Sequence, residues 1–241
     1  FFPLISAFII TLIPKAQEQL IKRFALVSSF ITFVLSAVLL FQFDFSSADK
    51  LQLGNKISWI KSINANYEIG IDGISLPLLV LSTFITVLAI IYSIEHLPEP
   101  KSPKGFLALI LVLETGMNGT FVALDLILFF VFFEIVLLPM YFMIGIWGDK
   151  TVRTVSGFKN QIETRLYASI KFFVFTLFGS AFMLLGFLGL YYRGNKTFSI
   201  PELIELGTSG AFTGTFATLV FAVLFLGCLL YTSDAADESV S

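Results

Sequence analysis

Three charged side chains stand inside apolar stretches of this sequence, where they could carry protons. Glu134 is flanked by the largely aromatic segment Phe129–Phe133 and the aliphatic residues Ile135–Leu138, while Glu114 and Lys171 stand in neighbouring apolar stretches. A charge at the centre of a bilayer is costly, and such residues usually face a bundle interior or a water-filled path. These residue types therefore favour proton or ion movement.

Depth estimates place the two glutamates together. Glu134 lies nine residues beyond Asp125, and Glu114 lies nine residues beyond Gly105 on the preceding, oppositely directed stretch. At about 1.5 Å per helical residue, each is roughly 13 Å deep, near the middle of a core about 30 Å thick. Their spacing predicts a proton relay. In the alternative interpretation, each carboxyl group is neutral and hydrogen-bonded to a neighbouring helix.

Lys171 is shallower, about five residues or roughly 7 Å into its stretch. It can extend to the membrane surface, or it can lose its solvation and exchange protons. At that depth it cannot be the sole partner of Glu134 if both helices are straight. Pro139 removes a backbone hydrogen bond one turn beyond Glu134, and the freed carbonyl could bind water or simply mark a kink.

The elements that position these residues are predicted to be transmembrane helices. Apolar residues make up 56% of the 241 residues and charged residues only 13%, with a mean hydropathy of +0.90. This composition indicates an all-α, polytopic helix bundle. The seven predicted spans are Pro3–Ile13, Phe24–Phe43, Ile74–Ile94, Gly105–Val122, Leu124–Trp147, Leu166–Tyr192 and Ala211–Tyr231.

Loop charges and loop acids refine this topology. Positive charges on alternate sides number nine against five, which predicts an N-terminus outside the cytoplasm and the Gly148–Arg165 loop inside it. Asp72, in the turn Gly70–Gly73, is predicted to cap the third span, and Asp125 to cap the fifth at the outer surface.

Several function classes are excluded by composition. One Cys and one His leave no disulfide framework and no cluster for zinc, haem or iron–sulfur binding. The net charge of −2 gives no case for nucleic-acid binding. Phosphate-binding, nucleophile-elbow and dinucleotide motifs are missing from the sequence. We therefore expect this chain to bind no metal or cofactor and to perform no covalent chemistry alone.

Several motifs resemble one family of membrane subunits. They are residues 70–78 (GIDGISLPL), 121–126 (FVALDL), 134–148 (EIVLLPMYFMIGIWG) and 167–173 (YASIKFF), followed by Gly179–Ser180. These segments resemble the antiporter-like subunit M, or chain 4, of respiratory complex I. The resemblance spans Phe1–Gly227, and its most specific part is Glu134 followed by Pro139–Tyr141.

The resemblance implies a proton-translocating membrane subunit of NADH–quinone oxidoreductase. Members of this family have about fourteen helices in two inverted repeats of five, so this chain corresponds to roughly the first half. In the family, the glutamate at the position of Glu134 pairs with a lysine on the seventh helix. NADH, FMN, iron–sulfur clusters and quinone are then expected in partner subunits. Homologous membrane subunits and the lipid of a bacterial inner membrane would surround the chain.

One departure from the family concerns residues 228–241. The family continues apolar and then carries the seventh-helix lysine, whereas this chain reads CLLYTSDAADESVS. That string is similar to a translated sequencing adapter, which predicts a membrane-domain fragment over residues 1–227 and a non-native tail over residues 228–241. The lysine partner of Glu134 is then absent. The start at Phe1, without Met, likewise predicts a missing N-terminal part.

Two other functions are compatible with the same residues. A subunit of a multi-subunit cation/proton antiporter would resemble this family without any coupling to redox chemistry. A purely structural membrane subunit would use its carboxyl groups for hydrogen bonds between helices.

Overall fold

A computed structural model describes residues 1–48, 50–98, 100, 102–153 and 162–232 of the chain, with side chains up to residue 229. The described part is a bundle of apolar helices with a β-hairpin at one end. The helices are α1 (Phe2–Leu12), α2 (Glu18–Gln42), α3 (Ser75–Glu95), α4 (Pro103–Val122), α5 (Leu126–Trp147), α6 (Thr164–Arg193), α7 (Ile200–Thr208) and α8 (Gly214–Thr232).

The predicted helical membrane bundle is confirmed. In the described part of the chain, five helices, α2 to α6, are long and apolar enough to cross a membrane. The first and last predicted spans coincide with α1 and α8, which are apolar helices with shorter described lengths. The helix α8 continues without a break through Cys228. Residues 233–241 of the predicted non-native tail lie outside the described residues, so that boundary stays a prediction.

The β-hairpin was not predicted. Its strands, β1 (Gln52–Ile60) and β2 (Ala65–Ile71), are antiparallel. They are joined through Asn64, whose φ of 52° lies in the left-handed region that asparagine tolerates. A second, minimal pair, β3 (Val152–Arg153) and β4 (Ile162–Glu163), lies beside the start of α6.

The connections segregate to two ends of the bundle, as the alternating topology predicts. At the end that we call the hairpin end, the Leu124 N–H donates to the Glu68 carbonyl at 2.8 Å, and Asp125 pairs with Ser199 in an isolated β-bridge. At the opposite end, which we call the lysine end, two lysines donate to carbonyls of the last helical turns. Lys22 Nζ reaches Ile94 O at 3.1 Å, and Lys104 Nζ reaches Ile13 O at 2.7 Å.

The helix α4 lies at the centre of the bundle, in contact with α1, α2, α3 and α5. Its inward residues Leu107, Ile110 and Leu111 pack with Ile21 and Ala25 of α2 and with Ile90 of α3. This apolar cluster fills the half of the bundle nearer the lysine end.

Both predicted helix caps are present. Asp72 Oδ1 accepts from the backbone N–H groups of Ile74 and Ser75, and Ser75 Oγ accepts in return from the Asp72 N–H. Asp125 Oδ1 accepts from Ile127 N and Leu128 N. Asp125 is fully buried under the hairpin, where its Oδ2 accepts from Asn66 N at 2.9 Å.

Candidate functional site

Glu134 lies on the face of α5 that packs against α6. On this face, Tyr141 contacts Phe173 with ring centroids 5.3 Å apart. One turn further, a Cβ on Gly145 would lie 3.3 Å from Ser169 Oγ. Residues seven and eleven positions after Glu134 share its side of a helix, since 3.6 residues make one turn. Glu134 therefore points towards α6.

The same contacts give the antiparallel register of the two helices. They place Ser180 of α6 level with Glu134, and Thr176 about one turn nearer the lysine end. Both hydroxyl groups are buried and donate to carbonyls of their own helix, Ser180 to Leu177 at 3.0 Å and Thr176 to Phe172 at 2.7 Å. In the described structure, Glu134 Oε1 is buried without a hydrogen-bond partner. The site is thus a carboxyl group facing small hydroxyl side chains, an arrangement in which a proton can be held and passed on.

The helices α4 and α5 approach closely through glycine. A Cβ on Gly119 would overlap the Phe132 ring, and a Cβ on Gly116 would lie 2.6 Å from Val136 Cγ2. Phe132 and Val136 lie two residues before and after Glu134, which puts Glu134 about 160° away from each around the helix. Glu134 is therefore on the far side of α5 from α4.

Glu114 lies on the far side of α4 from α5. It is two residues from Gly116 and shares a face with Ile110, Leu111 and Leu107, which pack against α2 and α3. The side chain is fully buried. Within the described residues, neither of its carboxylate oxygens has a hydrogen-bond partner.

The packing of α4 on α5 therefore does not bring Glu114 and Glu134 together, and their relay stays a prediction. Gly116 lies opposite Val136, and a Cβ on Gly105 would lie 3.4 Å from Trp147. These two contacts place Glu114 level with Leu138. That level is four residues, roughly 6 Å, from Glu134. More importantly, the α4–α5 interface separates the two side chains. The depth estimate did not include the direction in which each side chain points around its helix, because a residue count along the sequence gives depth alone.

Lys171 is also separate from Glu134. The α5–α6 register places it level with Met143, nine residues or roughly 13 Å along the axis from Glu134. It lies between Ser169 and Phe173, which face α5, and so points away from α5. Its ammonium group lies 5.9 Å from the centre of the Tyr167 ring and 5.7 Å from that of Phe175. The expectation that Lys171 is not the sole partner of Glu134 agrees with this geometry.

Sequence reasoning missed the two α6 hydroxyl groups at this site. Ser169, Phe173, Thr176 and Ser180 recur at helical spacing along the α5-facing side of α6. That spacing is a usable signal, because small polar residues are typical of helix–helix interfaces in membranes.

Two family profiles match almost the whole chain. Residues 1–120 match the profile described as NADH-ubiquinone oxidoreductase chain 4, amino terminus. Residues 123–234 match the profile described as NADH:quinone oxidoreductase/Mrp antiporter, TM. The chain belongs to the subunit M (chain 4) family. The glutamate at the α5–α6 interface, the buried acid on α4 and the hairpin all lie within these two matches.

Curated relatives of the subunit M family carry the same names. NADH-ubiquinone oxidoreductase chain 4 of Mycosarcoma maydis is 40% identical over 193 residues, covering 80% of this chain and 36% of the relative. NADH-quinone oxidoreductase subunit M of Rickettsia bellii is 34% identical and covers 93% and 42%. F(420)H(2) dehydrogenase subunit M of Methanosarcina mazei is 36% identical and covers 84% and 38%. The chain thus spans about two fifths of the length of these relatives.

Solved structures share the fold of this chain. Respiratory complex I from Thermus thermophilus matches with a TM-score of 0.73 at 23% identity, covering 95% of this chain and 42% of the matched one. The Mrp complex from a Dietzia species matches with a TM-score of 0.71 at 16% identity, covering 95% and 23%. Both are multi-subunit membrane complexes, and the likeness at this identity is one of fold.

Proposed function

We propose that this chain is part of a proton-translocating membrane subunit of NADH–quinone oxidoreductase, with Glu134 as its proton carrier. The observation that carries the proposal is the buried, unpartnered Glu134 Oε1 at the α5–α6 interface. A carboxyl group held among apolar and hydroxyl side chains at mid-membrane has no packing advantage over Leu or Met, so a transport role accounts for it.

In this proposal the chain performs no redox chemistry. NADH, FMN, iron–sulfur clusters and quinone are bound by partner subunits, and homologous membrane subunits lie beside this one. The lysine that the family resemblance pairs with Glu134 is not supplied by residues 197–241, which contain none. Glu114 and Lys171, which face other sides of the bundle, are not part of the Glu134 step.

The proposal places the protein in a bacterial inner membrane with the hairpin end outside the cytoplasm. The nine-to-five distribution of positive charges supports this orientation, since the larger number falls on the lysine end.

A second candidate is a subunit of a cation/proton antiporter, favoured by the similarity to the Mrp fold. The two functions differ in what energises proton movement. In inverted membrane vesicles containing the full-length protein, NADH should generate a pH gradient that Glu134→Gln diminishes, while an imposed Na⁺ gradient should generate none. A gradient driven by Na⁺ and indifferent to NADH would establish the antiporter instead. If Glu134→Gln left NADH-driven acidification unchanged, the carrier role of Glu134 would be refuted.

A further inference from the structure

A second group of buried oxygens lies across α4 from Glu134. In the described structure, five side-chain oxygens on α2 and α4 are buried without a hydrogen-bond partner. They are Ser28 Oγ, Ser29 Oγ, Glu114 Oε1, Glu114 Oε2 and Asn118 Oδ1. Ser28, Ser29 and Glu114 are 3%, 0% and 0% exposed, so solvent at the protein surface does not satisfy them.

The helix packing places these groups in the same part of the bundle. The helices α2 and α4 both run from the lysine end to the hairpin end, and Ala25 of α2 packs in the same cluster as Ile110 and Leu111 of α4. One turn further along each helix are Ser28 and Ser29 on α2 and Glu114 on α4.

The orientation of the side chains agrees with this placement. Glu114 shares the face of Ile110 and Leu111, and Asn118 continues that face by one turn. The buried face of α2, marked by Ile21, Ala25 and Ser36, runs between Ser28 and Ser29. On α3, Thr86 lies one turn before the cluster residue Ile90, and its hydroxyl is already bonded to Ser82 O at 2.9 Å.

We propose that ordered water occupies a polar site between α2, α3 and α4, bound by Glu114, Ser28 and Ser29. Buried polar groups in native proteins are almost always hydrogen-bonded, and an orphaned group carries its full desolvation cost. A buried water makes two to four hydrogen bonds to such groups. A carboxyl group and two hydroxyl groups on facing helices supply that number. Asn118 extends the polar lining towards the hairpin end.

This site is independent of the proposed carrier role of Glu134, because it lies beyond the α4–α5 interface. It assigns Glu114 to a hydrated pocket inside the α1–α4 half of the bundle. It also gives a reason for two serines to interrupt the apolar face of α2.

A double-mutant cycle in the full-length protein, reconstituted in lipid nanodiscs, tests the water site. In the wild-type background, the pair Ser28→Ala and Ser29→Ala should lower the unfolding midpoint, because the water loses two partners. In the Glu114→Leu background, where the hydroxyls would be true orphans, the same pair should raise it or leave it unchanged. Equal effects in both backgrounds, or stabilisation in both, would overturn the proposal.

A matched control is Ser93→Ala on α3, at the lysine end. Ser93 is buried, and its hydroxyl already donates to Ala89 O at 2.6 Å. Its effect on the midpoint should be the same with and without Glu114. A midpoint that rises in Na⁺ relative to choline, and only when Glu114 is present, would assign a bound cation and refute the water assignment.

Should Glu114→Leu fail to fold, a density map of the unmodified protein decides the question. The proposal requires a water peak within hydrogen-bond distance of the Glu114 carboxyl and of a Ser28 or Ser29 hydroxyl. Direct contact of these groups with no intervening density contradicts it.

Discussion

Glu114 and Glu134 point in opposite directions, each away from the interface that joins their helices. Gly116 and Gly119 of α4 meet Phe132 and Val136 of α5 between them. The two acids therefore lie at similar depth on consecutive helices but face different sides of the bundle. Glu134 faces α6, and Glu114 faces α2 and α3.

This separation predicts that the two acids act independently on stability. The free-energy changes of Glu114→Gln and Glu134→Gln should add in the double variant to within about 0.5 kcal/mol, because the groups share no partner. Chemical unfolding of the four proteins in mild detergent measures the sum. A coupling well above that value would mean that the carboxyl groups interact.

Close packing of α4 on α5 predicts a graded response to added methyl groups. Gly119→Ala would drive a Cβ into the Phe132 ring and should cost about 1–3 kcal/mol by overpacking. Gly105→Ala is the matched control, because its Cβ would sit 3.4 Å from Trp147, an ordinary contact. That variant should be neutral or slightly stabilising, since Ala favours helix more than Gly does. Comparable losses at both positions in a thermal-unfolding assay would contradict the packing described.

Asp125 joins the hairpin to the start of α5, so its removal should be costly. Asp125→Ala leaves the backbone N–H groups of Asn66, Ile127 and Leu128 without their acceptor at a buried position. We expect a loss of about 2–3 kcal/mol in unfolding free energy. Asp44→Ala is the control, because Asp44 caps an exposed turn and its removal should cost less. A larger loss at Asp44 would be inconsistent with this account.

The contributions of the two aspartate caps, Asp72 and Asp125, to stability should respond to pH with opposite signs. Hydrogen bonds, first from the Ser75 N–H, lower the pKa of Asp72 below 3.8 despite some desolvation. Its stabilisation is therefore present above pH 3.8 and lost as the pH falls through the lower folded-state pKa. Burial raises the pKa of Asp125, against the effect of its N–H donors. As the pH falls from the raised pKa of Asp125 towards 3.8, the stability of the wild type should therefore rise relative to that of Asp125→Asn.

Melting curves of Asp72→Asn and Asp125→Asn against wild type, recorded across this acidic range, check both signs. The advantage of wild type over Asp72→Asn should shrink towards low pH. The difference between wild type and Asp125→Asn should move in favour of wild type. A common trend for both positions would contradict the assigned causes.

The elements could be predicted from sequence because their signals are local. Long apolar stretches specify the helices α2 to α6, and an aspartate before such a stretch specifies each cap. The same stretch indicated that Glu134 stands in an apolar setting, and its Oε1 is buried. The hairpin was missed because β1 and β2 carry Lys56 and Glu68 and show no clean apolar alternation.

The directions in which the side chains point could not be predicted, which is why the sequence placed Glu114 and Glu134 together although the helix packing does not. An amphipathic helix reveals its buried face, but a membrane helix such as α5 is apolar on every side. Which face meets which neighbour is decided by close packing at Gly116 and Gly119, a tertiary property. Ser28 and Ser29 were overlooked for a related reason, since serine in a membrane helix often bonds only its own backbone.

The central claim, that Glu134 and not Glu114 carries the transported proton, is tested by proton-to-electron stoichiometry. Glu134→Gln and Glu114→Gln should be compared in the full-length protein within its membrane complex, with quinone reduction and vesicle acidification recorded together. The account predicts that Glu134→Gln lowers the number of protons moved per quinone reduced, while Glu114→Gln leaves it at the wild-type value. An unchanged stoichiometry in Glu134→Gln, or a loss confined to Glu114→Gln, would contradict it.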